Sequence, residues 1–203
     1  MLRSMTSRII VSYATGAYLF SACQHEALDP PQEGPNAPAA SDILFIDPEP
    51  DSTTTAPWWG AVNIDIDQDA VTDIELRVLF ALDSTVPWPE ALWGTQVACV
   101  DPEFRLSAGT IATGLTPILT GDTIGTSLTW WTAVTLHNDE PGGGSFGYWP
   151  IPSQGFIGVE RMRGDSTNYG WVSIHAGYDN ITYQSSGFER VPGVFIRAGD
   201  TGE

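Results

Sequence analysis

The chain has 203 residues, 42% of them hydrophobic, which suffices for the core of one domain and makes two unlikely on length alone. Acidic residues number 25 against 8 basic ones, every one of the latter Arg, giving a formal net charge of −17. A chain this acidic repels phosphate backbones and anionic lipid surfaces, so nucleic acid is excluded as an expected partner.

At the N-terminus, Arg3 and Arg8 precede the apolar run from Ile9 to Phe20, and Ser21-Ala22-Cys23 brings small residues up to a cysteine. A basic segment, an apolar segment and a small-residue cleavage site are the three parts of a signal peptide. The apolar run is shorter than the ~20 residues of a membrane-spanning helix, which argues against a retained transmembrane anchor. Residues 1–22 are therefore expected to be removed, which takes the formal charge to about −19. Leu19-Phe20-Ser21-Ala22-Cys23 resembles the lipobox of bacterial lipoproteins, with Phe20 departing from the commonest versions. That resemblance implies acylation of Cys23, a membrane anchor made of its lipid chains, and residence at the outer membrane or cell surface. The other reading is an ordinary secretory peptide cut elsewhere, with Cys23 incidental.

Residues 23–57 are rich in Pro, Ala and acidic side chains and are expected to form a flexible tether, because a segment with so little to bury does not offset its ordering entropy. Glu26 and Asp29 resemble the acidic export signals of surface lipoproteins in Bacteroidetes-like bacteria. Within the tether, Ile43-Leu44-Phe45-Ile46 reads as an early strand that Asp47-Pro48 ends. Residues 58–203 are expected to be a single folded domain.

From Trp58 onward the apolar period is that of strands. Val62, Ile64 and Ile66 alternate with Asn63, Asp65 and Asp67, and Ile74, Leu76, Val78, Phe80 and Leu82 form a second period-2 stripe. Residues 93–100, 126–136, 155–162, 170–175, 181–185 and 193–198 continue the pattern, bounded by Gly, Pro, Asn or Asp. No 3.6-residue stripe is sustained, and the spacing predicts an all-β, antiparallel β-sandwich of jelly-roll-like form.

Phe156-Ile157-Gly158-Val159, Tyr169-Gly170-Trp171-Val172, Asn180-Ile181-Thr182-Tyr183, Gly187-Phe188-Glu189, Pro192-Gly193 and Ala198-Gly199-Asp200 follow one another in the last quarter of the chain. This tail resembles that of an uncharacterised family of secreted or surface-anchored bacterial proteins. The resemblance implies an exported β-sandwich and brings no catalytic residues with it.

The same family often carries an Asp-rich phrase nearer its N-terminus, and here the stretch from Asn63 to Leu76 places Asp at 65, 67, 69 and 73. Calcium is a hard cation that takes six or more oxygens, and Asp at positions 1, 3 and 5 of a turning loop, a carbonyl at 7 and an oxygen at 9 can wrap it. In this numbering those are Asp65, Asp67, Asp69, the carbonyl of Val71, and Asp73. Position 6 is Ala70 where a sharp turn favours Gly, and position 12 is Leu76 where a helical calcium loop supplies Glu. The alternative is a hairpin whose Asp65 and Asp67 face solvent.

Other chemistry is sparse. Cys99 in the strand 93–100 reads as a small buried thiol, since no basic helper stands nearby in sequence. His137, His175, Asp139, Glu160 and Asp179 form no recognisable metal or acid-base phrase. Eight Trp, including Trp58-Trp59 and Trp130-Trp131, exceed what the core needs, so an exposed platform for a sugar ring competes with burial under loops. Gly142-Gly143-Gly144 beside Tyr148-Trp149 reads as a surface loop near such a platform. The expected function is a non-enzymatic surface lipoprotein whose sandwich binds or displays, toward a glycan or a surface protein, stabilised by calcium. A secreted glycoside hydrolase-like enzyme on the same scaffold is the alternative.

Overall fold

The computed structural model describes residues 41–55, 60–83, 90–111, 114–140, 144–146 and 149–203. The expected signal peptide, Cys23, the tether through residue 40, Trp58, Trp59, Gly142, Gly143 and Tyr148 lie outside the described residues.

All regular structure among the described residues is β. In chain order come β1 (Ile43–Ile46) and β2 (Ser52–Thr55), then the meander β3 (Ala61–Ile64), β4 (Ile74–Asp83) and β5 (Glu90–Cys99). There follow β6 (Phe104–Ser107), the short pair β7 (Gly109–Ile111) and β8 (Gly114–Thr116), β9 (Thr123–Ile124), and the hairpin β10 (Ala133–Glu140) and β11 (Gly144–Phe146). A second meander, β12 (Ser153–Arg163), β13 (Ser166–Ala176) and β14 (Asn180–Glu189), leads to β15 (Ile196–Arg197).

Among the described residues two large antiparallel sheets result, with β15-β9 and β7-β8 as two-stranded pairs beside them. One is six-stranded in the order β1-β14-β13-β12-β6, with β2 also pairing with β14; the other is five-stranded in the order β11-β10-β5-β4-β3. Each meander stays within its own sheet, and the two sheets form the expected antiparallel β-sandwich. Among the described residues the compact unit already includes β1 and β2, so the folded domain begins N-terminal to the expected boundary at residue 58. The physical reason is the edge of β14: β1 and β2 pair with its two halves. Buried Glu189 then pins the entry by accepting hydrogen bonds from the Ser41 hydroxyl, the Asp42 amide and the Val191 amide.

The core sits between the sheets, as period-2 alternation requires. Ile64, Ile66, Ile74, Leu76 and Val97 of the five-stranded sheet and its loop meet Phe104, Leu106, Ile157, Val159, Val172, Ile174 and Phe188 of the other. A second cluster covers the outer face of the six-stranded sheet, where Tyr169 and Trp171 pack with Ile118, Ile124, Ile196 and Ala198. Consequently β13 is buried on both faces. The segment 126–132, expected as the start of a strand, is loop: Trp130 packs against Tyr169 at 6.1 Å and Trp131 exchanges backbone hydrogen bonds with Leu106. Regular pairing begins only at Ala133. Expected strand 193–198 is likewise reduced to the two residues of β15.

Candidate metal centre

Antiparallel pairing of Ile64 with Ile74 closes a hairpin whose loop is residues 65–73. Apolar Ile66 is the anchor of this loop: it continues the inward stripe of β3 and is fully buried. Its neighbours are thereby held at the rim of the core. Gln68 and Ala70 both take left-handed backbone conformations, with φ of 60° and 69°, so the loop turns sharply at Ala70 without Gly.

The loop is wrapped on its own carboxylates. Asp65 accepts from the amides of Asp69 (3.1 Å) and Ala70 (2.7 Å), Asp67 accepts from the Asp69 amide (3.2 Å), and Asp69 accepts from the Val71 amide (3.0 Å). One carboxylate oxygen from each of Asp65, Asp67 and Asp73 lies within 4.8 Å of the others. Such a cluster can hold a metal ion. The Asp69 carboxylate is not a member of it, and Val71 is exposed, its amide committed to Asp69.

Asp73 is the unusual member. It is 0% exposed, its Oδ2 accepts from the Ile66 amide at 2.8 Å, and its Oδ1 is buried with no hydrogen-bond partner. Its backbone carbonyl accepts from the amides of Val100 and Asp101, which fixes the residue in place. Burial, aided by the nearby Asp67, Asp65 and Asp69 charges and opposed by the Ile66 hydrogen bond, pushes the Asp73 carboxyl up from 3.8 to about 7. A buried carboxylate with an unused oxygen, facing two others, is relieved either by taking up a proton or by a cation.

Arg161, at the end of β12, supplies part of that charge. Its Nη1 donates to Asp67 Oδ2, its Nη2 lies 3.9 Å from Asp69, its Nε reaches Glu103 Oε2 at 3.3 Å, and the guanidinium carbon sits 5.5 Å from the centre of the Phe104 ring. With this cover the Asp67 side chain is only 6% exposed, so it does not face solvent as the alternation with Ile66 suggests. Sequence spacing gives no sign of Arg161, which lies 94 residues from Asp67.

The remaining candidates stay apart. Cys99 is half-buried, and burial first, then Asp101 and Asp73, pushes its thiol up to about 12, the inert state expected of a structural cysteine. Glu160 is buried with Arg105 3.7 Å away, and burial pushes its carboxyl up against that cation. His137, in the five-stranded sheet, is buried beside Tyr178, and His175 is paired with Gln154 within the six-stranded sheet. Among the described residues no metal-sized cluster contains a histidine. Of the Trp side chains described, Trp149 and Trp171 are buried and Trp130 and Trp131 are half-buried, so none of these four forms an exposed platform.

The tail motif is explained by packing. Trp171 lies opposite Gly187, where a Cβ would come within 2.6 Å of the indole, and its Nε1 donates to the Asp200 carbonyl at 3.1 Å. One buried indole thus ties together the Tyr-Gly-Trp-Val, Gly-Phe-Glu and Ala-Gly-Asp phrases. Comparison with known proteins gives no matching family model, no matching curated protein and no matching solved structure.

Proposed function

We propose that this is an exported, lipid-anchored β-sandwich of the cell surface, a binding or display domain without catalytic activity, whose 65–73 loop is fixed by calcium. The observation that carries the calcium reading is the unpartnered, fully buried Oδ1 of Asp73 beside Asp65 and Asp67. Oxygen-only donors suit a hard cation, and the rest of its shell falls to backbone carbonyls and water. Lipid anchoring rests on the lipobox-like Leu19–Cys23 and the acidic segment after it. Glycan or surface protein is the partner class that such an anchored sandwich, with loops clustered at its ends, is suited to meet.

Two experiments test this. If the loop binds calcium only when folded, ion at about 100 times its dissociation constant adds ~2.7 kcal/mol of stability by mass action. Melts at constant ionic strength isolate that increment from general screening of the acidic surface. Asp65→Asn with Asp67→Asn is expected to abolish it, and an unchanged calcium response in the double variant refutes the site. Separately, Cys23→Ser is expected to move the protein from the membrane fraction to the soluble one, because the acyl chains are its anchor. Retention in the membrane fraction refutes the lipid anchor and leaves the calcium result standing.

A further inference from the structure

The inner face of the six-stranded sheet runs past the core at one end, where Val159 is followed by Arg161 and then Arg163 on the same side of β12. Asn168 stands directly opposite Arg161 on β13, and Arg190 follows the last residue of β14. With Asp67 and Asp69 of the loop folded over them, these residues line a pocket of about 300 Å³. Three of the eight cationic side chains of a chain with net charge −17 therefore meet at one pocket.

Their existing partners do not use them up. Arg163 donates from Nε to Glu103 at 2.9 Å, and Arg190 donates from Nη2 to Asp42 at 2.7 Å. Both side chains are more than half exposed, at 61% and 54%, and exposed pairs of this kind hold weakly. Each of these bonds uses one N–H of a guanidinium that carries five. Arg161, in contrast, is only 12% exposed and is braced by Asp67, Glu103 and the Phe104 ring. One rigid guanidinium flanked by two adjustable ones is suited to a planar or tetrahedral oxyanion, which Arg recognises through paired N–H donors.

We propose that this pocket is a binding site for an oxyanion group, the carboxylate or sulfate carried by acidic sugars, held by Arg161, Arg163 and Arg190. The site stands on the arginines and does not require that the loop hold calcium. Asp67 and Asp69 line the same pocket and work against an anion there, so the arginines must outweigh them for binding to saturate.

The test is a titration of the ¹⁵N-labelled full chain with D-glucuronate and, separately, with inorganic sulfate, following arginine Nε–H signals with sodium chloride holding ionic strength constant. Saturable shifts of Arg161, Arg163 and Arg190 are expected with at least one probe. Saturation by glucuronate alone assigns the site to a carboxylate, and saturation by sulfate alone to a sulfate ester. Arg163→Gln with Arg190→Gln, both exposed and so not needed for folding, is expected to weaken binding about tenfold or more, the worth of a charge-assisted hydrogen bond. Arg77→Gln, whose guanidinium pairs with Glu75 in the other sheet, is expected to change nothing. Shifts that rise linearly with both probes, or saturation that survives the double variant unchanged, overturn the proposal.

Discussion

Asp73 is the residue at which stability and ligand chemistry meet. In metal-free protein its carboxyl titrates at about 7 when folded, against 3.8 as the ordinary value, so the folded state binds the proton more tightly than the unfolded one. A raised carboxyl pKa therefore stabilises at low pH: the contribution is complete below about pH 4 and is lost as pH rises through about 7. A gap of this size corresponds to roughly 4 kcal/mol at most. Other carboxylates follow their own trends, so the informative quantity is the difference from Asp73→Asn, which keeps an oxygen for the Ile66 amide and removes the titration. Denaturant unfolding in chelator between pH 4 and pH 8 is expected to show the parent losing stability relative to this variant as pH rises. A constant difference across that range would show that burial of Asp73 carries no ionisation cost. Sequence spacing puts Asp73 among the candidate ligands, yet nothing in the spacing shows that its side chain is fully buried. Val100 and Asp101 donate to its carbonyl and hold the residue in that buried place, a contact made only once β5 has returned beside β4.

Among the elements, β13 departs most from what alternation implies. A strand with one solvated face shows polar residues at every second position, whereas β13 buries Tyr169 and Trp171 on one side and Val172, Ile174 and Ala176 on the other. The outer cover is supplied by β9, β15 and the loop carrying Leu128 and Trp130. Gly187 is the position through which this second layer is tested. Gly187→Ala places a methyl within 2.6 Å of the Trp171 indole, and overpacking of a buried ring costs about 1–3 kcal/mol. Chemical denaturation is expected to show that loss, together with a changed near-ultraviolet signal from the displaced indole. An unchanged stability would mean that the outer layer yields freely. The inner stripes at Val62, Ile64 and Ile66 and at Ile74, Leu76 and Val78 were legible from period 2 alone, as was the hairpin they frame. Residues 126–132 were not, because alternating Thr, Leu and Trp satisfies a strand pattern equally well when the Trp rings pack over an outer layer. The sandwich and the three clustered aspartates were thus visible in local spacing, while the arginine cover depended on strand pairing distant in sequence.

At the scale of the whole molecule, the acidic loop of one sheet meets the arginine-tipped end of the other at Arg161, which pairs with Asp67 and lies 3.9 Å from Asp69. Asp67 offers its charge to either of two cations, the guanidinium or a metal ion shared with Asp65 and Asp73. A bound divalent ion draws on that charge and leaves the field of Arg161 less compensated toward the pocket. An oxyanion on the arginines then finds a more positive site, and by linkage the oxyanion raises the affinity for the metal by the same factor. Solvent at Arg163 and Arg190 screens part of the effect, so the expected coupling is at the lower end of the usual range, about fivefold. Calcium titrations with and without saturating glucuronate, at equal free calcium and equal ionic strength, measure it directly. Arg161→Gln is expected to remove the coupling while both ligands still bind, because Asp65, Asp67 and Asp73 remain for the metal and Arg163 and Arg190 for the anion. Equal calcium affinity with and without glucuronate in the parent protein would mean that the two adjacent sites bind independently, and that the Asp67–Arg161 pair serves only to close the loop over the core.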